Sequence, residues 1–346
     1  MSMVMKDQPF PILTRMAACP ALNEIHDAVE WDRSLEAFDF VPPGQVASWS
    51  GNRNFRGREI LRFTSAKPGA IAVQGVLKRS LGIMRFVVED GPIVGKSCDE
   101  ETLVAFIAAL RERLGKSCVL SFSSIQPHDP VHEFWMRRAG FQRPCSMLLS
   151  PLTLYVDCSE GGHLGQGYGA DWRKNIRKAE KRGLVFEAVA LADTRAREDL
   201  LAIYSETFRI KGVAEQVDAR MLETLARDSR WQAFFASRDG RRVSMRLIFV
   251  SGVVAIDYVA GTSAEGRSLS ASHFLAASIL KHLGQSGVRS FDFGRIGPGR
   301  YDSIDYFKLG SGGRPVTYLG EWSLSSYPWL ELAVGAVRCI KGQDRW

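Results

Sequence analysis

One order of elements occurs twice along this chain, and that repetition limits the possible folds more than any single motif does. Glu59 to Phe63, Ala70 to Leu77 and Gly82 to Val88 are short β-branched or aromatic runs, separated by turn-forming Pro68-Gly69 and Leu81-Gly82. They predict a small antiparallel meander. A helix should follow, because Ser97 and Glu100 have capping-box spacing and Leu103, Ile107, Leu110 and Leu114 share one helical face as far as Gly115. Cys118 to Phe122 then reads as a buried strand and Asp129 to Ala139 as a short helix, closing the first unit near Ser150.

The second unit begins with an extra helical section, Asp171 to Arg182, Thr194 to Lys211 and Asp218 to Arg227. Trp231 to Ser237, Arg242 to Val250 and Val253 to Val259 predict a second meander, with Asp239-Gly240 and Ser251-Gly252 as hairpin turns. After a loop at Gly261 to Arg267 comes a helix capped by Ser268 or Ser270, with Leu275, Ile279 and Leu283 on one face and Gly284 or Gly287 at its exit. Strand Ser290 to Phe293, a glycine-rich loop and Thr317 to Trp322 complete it. The fold class is therefore α/β, a tandem duplication of one unit built from a mixed, largely antiparallel sheet flanked by helices.

A length of 346 residues agrees with two cores. The divisions expected are a leader over 1–37, a first domain over 38–150, a second over 151–325 carrying the donor and acceptor site, and a C-terminal helix or tail over 326–346. The six cysteines are scattered without a C-x-x-C pair, which argues against a disulfide framework or a zinc cluster and for a reducing cytoplasm. Met16 to Cys19 resemble the end of a lipoprotein signal, but no continuous apolar stretch precedes them. No apolar run reaches membrane-spanning length, and Trp329 to Ile340 reads as a packing helix. The expected location is cytoplasmic, including the inner face of the membrane as a peripheral contact.

The formal net charge of +7 biases the molecule toward anionic partners such as CoA, tRNA or lipid phosphates. Most of it resides in Asp171 to Gly183, which holds six basic and two acidic residues. Helical spacing stacks Arg173, Arg177 and Lys181 in one column and Lys174, Lys178 and Arg182 in another, a like-charge arrangement that an anion relieves. The alternative is a solvated basic face with Trp172 in the core.

A second concentration runs from Phe291-Asp292-Phe293-Gly294-Arg295 through Gly297, Gly299, Arg300 and Tyr301 to Tyr306-Phe307-Lys308-Leu309-Gly310 and Gly313. Backbone amides and cations can converge there on one oxyanion or phosphate, although turn formation explains glycines equally well. His128 and His132 lack a ligating context, so no metal is expected. His273 reads as a core or boundary histidine with proton transfer as its lesser role.

Together, the basic Trp172-to-Gly183 helix, the Phe-Asp-Phe-Gly strand end at 291–294 and the Phe-Lys-x-Gly-x-Gly-Gly stretch at 307–313 resemble the second domain of the Fem-type aminoacyltransferases and their BioF-associated, acetyltransferase-like relatives in the GNAT superfamily. Pro43-Gly44-Gln45 with Trp49, and Asp90-Gly91-Pro92, resemble landmarks of the first domain. The resemblance implies tandem GNAT-like domains and attack by an amine on an aminoacyl-tRNA ester or an acyl-CoA-type thioester, with a cell-envelope precursor such as peptidoglycan, a polysaccharide or a small metabolite as acceptor. No tightly bound cofactor is implied.

It further implies that Lys308 steadies the charge of the transition state, with Tyr306 beside it. The base that takes the amine's proton is sought among Asp292, placed first, Asp257 and Asp305. Arg267, Ser270, Gly294, Arg295, Gly297, Gly299 and Arg300 are the expected donor-binding residues, and Trp172, Arg173, Lys174, Arg177, Lys178, Gln45 and Trp49 the expected substrate contacts. Two departures stand out. The long helical arm of the wall-bridge enzymes has no room, and the Arg-x-x-Gly-x-Gly/Ala pyrophosphate signature is missing from Gly261 to Arg267. Rival readings are a noncatalytic nucleic-acid-binding protein using the helix at 171–182, and a GNAT-like scaffold that has lost catalysis.

Overall fold

The computed structural model describes residues 21–80, 83–144, 147, 149–159, 165, 167–211, 217–297, 303–327 and 329. The expected leader up to residue 20 and the helix over 329–340 fall, apart from Trp329, outside them.

The first half contains β1 (Asn23–Glu24), α1 (Ala28–Ser34), β2 (Ile60–Thr64), β3 (Ile71–Ser80), β4 (Ile83–Asp90), β5 (Ile93–Val94), α2 (Glu100–Leu114), β6 (Val119–Pro127) and α3 (Pro130–Arg138). The second contains β7 (Leu152–Asp157), α4 (Ala170–Glu180), β8 (Val185–Ala190), α5 (Thr194–Lys211), α6 (Ala219–Leu225), β9 (Trp231–Arg238), β10 (Arg241–Ser251), β11 (Val254–Thr262), α7 (Ala264–Ser268), α8 (Ala271–Gln285), β12 (Ser290–Arg295), α9 (Ser303–Leu309) and β13 (Arg314–Leu324).

Both meanders form where the alternation places them, and the expected turn at 81–82 lies outside the described residues. Asp239 and Gly240 both take positive φ, the geometry a tight hairpin requires, between β9 and β10. The cap of α2 differs from expectation. Asp99, not Ser97, accepts from Thr102 N at 2.8 Å, while Ser97 Oγ donates to Pro68 O. Two stretches read as loops are helical. Ser263 Oγ caps α7 by accepting from Gly266 N at 3.1 Å, and α9, too short to stand alone, is pinned by Trp172 Nε1 donating to Phe307 O at 2.7 Å.

The strands form one path, β1-β2-β3-β4-β6-β13-β7-β12-β11-β10-β9-β8, with β5 on β3. β13 joins the halves: its residues 314–317 pair with β7 and its residues 318–324 with β6. One core, under α2, holds Phe63, Phe86, Phe106 and Trp322. Another holds Trp172, Leu275, Ile279 and Leu283 between α4, α8 and the second meander. A third combines the halves, with Trp31, Trp49 and Phe55 against Tyr204, Trp231 and Phe249. Each such side chain contributes about 1.5–3 kcal/mol from burial before ordering costs, so neither half keeps its full core alone.

Candidate active site

The site begins where a parallel strand pair parts. β11 and β12 pair only through Val254↔Ser290, Ala255↔Phe291 and Ile256↔Asp292. Beyond them Gly294 takes a φ of +74°, turning β12 away, while β11 continues to Thr262 beside β10. The side of β11 facing β12 therefore carries backbone groups that β12 does not satisfy. A cleft of about 1060 Å³ opens at this divergence, lined among others by Asp257, Tyr258, Arg246, His273, Phe307 and Lys308.

Lys308 reaches the divergence from α9. Its Nζ donates to Arg295 O at 2.7 Å and to Gly294 O at 3.3 Å, which leaves one N–H of a three-donor ammonium uncommitted. Burial pushes its pKa down, while Asp257 opposes that shift. Asp257 Oδ2 accepts from Arg246, and Asp257 Oδ1 has no hydrogen-bond partner although the side chain is only 6% exposed. Burial pushes this carboxyl up, against the pull of Arg246 and Lys308. The Arg246 guanidinium lies over the Phe307 and Phe293 rings at 5.3 and 5.7 Å. His273, edge-on to Phe307 at 4.9 Å, is pushed down to about 4 by burial and by Arg246, so it is neutral at physiological pH.

At the other end of the cleft lies the start of α8. Ser270 adopts φ +62°, a left-handed geometry that glycine takes most easily, and its Oγ meets Asn175 Oδ1 of α4 at 3.1 Å rather than capping the helix. Among the described residues, the amides of Ala271 and Ser272 have no acceptor. Arg267 and Lys178, both exposed, line the same end. A helix N-terminus with free amides and two cations is suited to a phosphate. Arg267, Ser270 and Ser272 thus occupy the spacing of the Arg-x-x-Gly-x-Gly/Ala signature, with serines where it has glycines and a few residues later than Gly261 to Arg267.

The remaining expected residues take other places. Asp292 is 1% exposed and fully engaged by Thr153, Tyr318 and Gly294 N, so it lies behind the cleft wall rather than on it. Asp305 Oδ2 accepts from Gly297 N at 3.0 Å. Tyr306 is 67% exposed on the outer side of α9, where its hydroxyl donates to Asp171 Oδ2. Arg295 is turned to Ser150 O and over the Tyr318 ring. In its described part, then, the glycine loop bonds to its own framework, and the free amides are those of α8. Gly299 and Arg300 lie outside the described residues.

Of the basic helix, Lys178 and Asn175 line the cleft. Arg173 donates to Tyr168 O, Arg177 Nε donates to Arg173 O, and Lys174 is exposed beside them. Trp172 is buried beneath α9 as a framework residue. Gln45 and Trp49 are framework too. Gln45 is wholly buried, with Nε2 donating to Glu89 O and Gln74 O and Oε1 accepting from Gln74 N. Trp49 donates to Glu89 Oε2 and packs on Trp231 and Tyr258.

The cleft also takes in His273 and Arg246, of which the sequence reading had not singled out Arg246. The available signal was a lone arginine amid the apolar run from Val243 to Val250, which a buried strand tolerates only with a partner.

Comparison with known proteins gives the class. Residues 169–308 match the acetyltransferase (GNAT) domain family, and the parted strands that form the cleft lie within this stretch. Over its length the chain has the Fem-like, tandem-GNAT fold. It is similar to the crystal structure of FemX with TM-score 0.75 at 14% identity, covering 90% of this chain and 100% of that one. It is similar also to the C-terminal domain of a protein described as a lysylphosphatidylglycerol synthetase from Agrobacterium fabrum, with TM-score 0.64 at 16% identity over 90% and 97% of the two chains. A tandem GNAT protein from the clavulanic acid biosynthesis pathway gives TM-score 0.52 at 12% identity over 89% and 99%. No curated protein sequence matches significantly.

Proposed function

We propose that the protein is an N-acyltransferase that moves an acyl group from a phosphate-bearing thioester of the acyl-CoA type to a primary amine. The observation that carries this reading is the placement of Lys308 and Asp257 in the same cleft as the free amides of α8, with Arg267 and Lys178 beside them. The donor's phosphates bind at α8, its extended arm lies along the unpaired side of β11, and its carbonyl reaches the uncommitted N–H of Lys308.

The amine attacks the carbonyl carbon, forming the N–C bond, and negative charge develops on the carbonyl oxygen. A prepositioned cation in a poorly hydrated site stabilises that charge. Asp257 Oδ1 takes the amine's proton, helped by burial, which raises the pKa of its carboxyl. The carbon–sulfur bond then breaks, and the thiolate leaves to be protonated by solvent.

Aminoacyl-tRNA is the second donor reading, favoured by exposed Lys174 and Arg177 beside the cleft-lining Lys178. Screening both donors with candidate amines, scored by product mass, separates the two. Lys308→Ala should lower transfer about 10²–10³-fold, the size seen when an oxyanion donor is removed, while donor binding persists. Unchanged turnover would refute the role given to Lys308.

A further inference from the structure

The cleft takes in residues from both faces of the sheet, and its two sides differ in charge. Met245, Leu247 and Phe249 of β10 pack with Tyr204 of α5, whereas Val243 and Ile248 of the same strand pack with Leu275 and Ile279 of α8. α5 and α8 thus cover opposite faces, and the parting of β11 from β12 joins the spaces beneath them. Among the described lining residues, the lysines and arginines are Lys178, Arg246, Arg267 and Lys308. Lys178 and Arg267 flank α8, and Arg246 lies on Phe293 and Phe307, which belong to the α8-side core together with the helix of Lys308.

The α5 side is lined instead by Tyr204, Phe208, Val217, Tyr258 and Val259. Tyr204 and Phe208 form a tilted aromatic pair with centroids 4.2 Å apart. The Tyr258 hydroxyl is hydrogen-bonded with Asn52, and the acidic side chains near it are Asp90 and Glu89. Between the two sides stands Asp257, with Oδ1 unpartnered, where a buried carboxylate oxygen ordinarily has a donor.

We infer that the α5 side receives the acceptor as an alkylammonium: a flexible aliphatic chain ending in a primary amine, with no anionic group near it. This rests on the transfer reading above and assigns its acceptor class. Aromatic faces attract cations, apolar walls accept methylenes, and the orphaned carboxylate oxygen gives the leading ammonium its hydrogen-bond acceptor. An anionic acceptor would meet Asp257 and aromatic faces, with no lysine or arginine among the described residues that line that side, which disfavours it by repulsion as well as by absent contacts. Donor and acceptor are thereby kept apart by sign, each drawn to its own face of the sheet.

The test titrates the full chain by calorimetry with 1,5-diaminopentane, with pentane-1,5-diol as its uncharged counterpart, with a UDP-sugar as an anionic probe, and with CoA. The diamine should bind at least about tenfold more tightly than the diol. Asp257→Asn should weaken diamine binding about tenfold. Phe208→Ala, at a half-buried rim position that the fold tolerates more easily, should weaken it severalfold, with CoA affinity retained in both variants as proof of folding. Equal binding of diamine and diol, preference for the UDP-sugar, or indifference of the diamine to both substitutions would overturn the inference. CoA binding without diamine binding would refute the acceptor class and leave the transfer reading standing. The reverse pattern would count against the donor site alone.

Discussion

The two halves carry equivalent parallel strand pairs and treat them in opposite ways. In the first, β4 and β6 stay paired through six residues, Arg85↔Val119 to Asp90↔Ser124. At the end of that pair Gln45 and Gln74 fill the space, Gln45 bonded to backbone groups and Gln74 to the Gly44 and Val46 carbonyls and to Arg62 Nε, which donates to its Oε1. In the second, β11 and β12 part after three pairs, and the opening is lined by a lysine, an arginine and a carboxylate with an idle oxygen. Topology alone therefore does not make a site. What distinguishes a structural unit from a reactive one is whether the gap is plugged by satisfied amides or left to charges that await a partner.

That contrast is open to direct attack. Arg267→Ala should weaken CoA-type donors about tenfold and flatten the salt dependence of binding, since one phosphate contact is lost; titration at two ionic strengths checks it, and an unmoved affinity would detach Arg267 from the donor. Gln45→Ala, in the plugged half, should act only on stability. It strands Glu89 O and Gln74 N in the interior and lowers stability by about 1–3 kcal/mol, read as a drop in denaturation midpoint with turnover per folded molecule unchanged.

Asp90→Asn is expected to stabilise. Burial and Glu89 push Asp90 up to about 7, above an unfolded value near 3.9. Between those pH values the folded state holds a proton that the unfolded state releases, so the wild type loses stability as pH rises. The advantage of asparagine, which also tolerates the φ of +58° at this position, should grow from about pH 4 to 7 and then level off in thermal melts.

The smallest effect belongs to His273, held near 4 by burial and Arg246. Its folded pKa lies below the unfolded value of about 6.5, so the unfolded state binds more protons between them. Stability is full above that window and declines as pH falls through it. NMR should find the ring neutral at pH 6, and a protonated ring there would contradict the account.

Much of the frame was legible because it obeys local rules. Period-two alternation marked the meanders, and Leu275, Ile279 and Leu283 marked α8, as the structure bears out. β7 and β8 escaped notice because they are short and follow loops with no hairpin turn. α9 escaped because glycines surround it and its stability comes from Trp172, a residue 135 positions away. The site was half legible. Lys308 and Asp257 share the cleft, but Gln45, Trp49 and Trp172 belong to the framework, since sequence does not say which side of a polar or aromatic residue faces a void. Arg246 was invisible until Asp257 stood beside it.

The shared strand β13 ties the order of events in synthesis to the whole molecule. It is the last strand of the described chain, and until it emerges from the ribosome both β6 and β7 present bare edges to other nascent chains. Removing residues 314–324 should therefore damage the N-terminal half as severely as the half to which those residues nominally belong, and drive the product to aggregate.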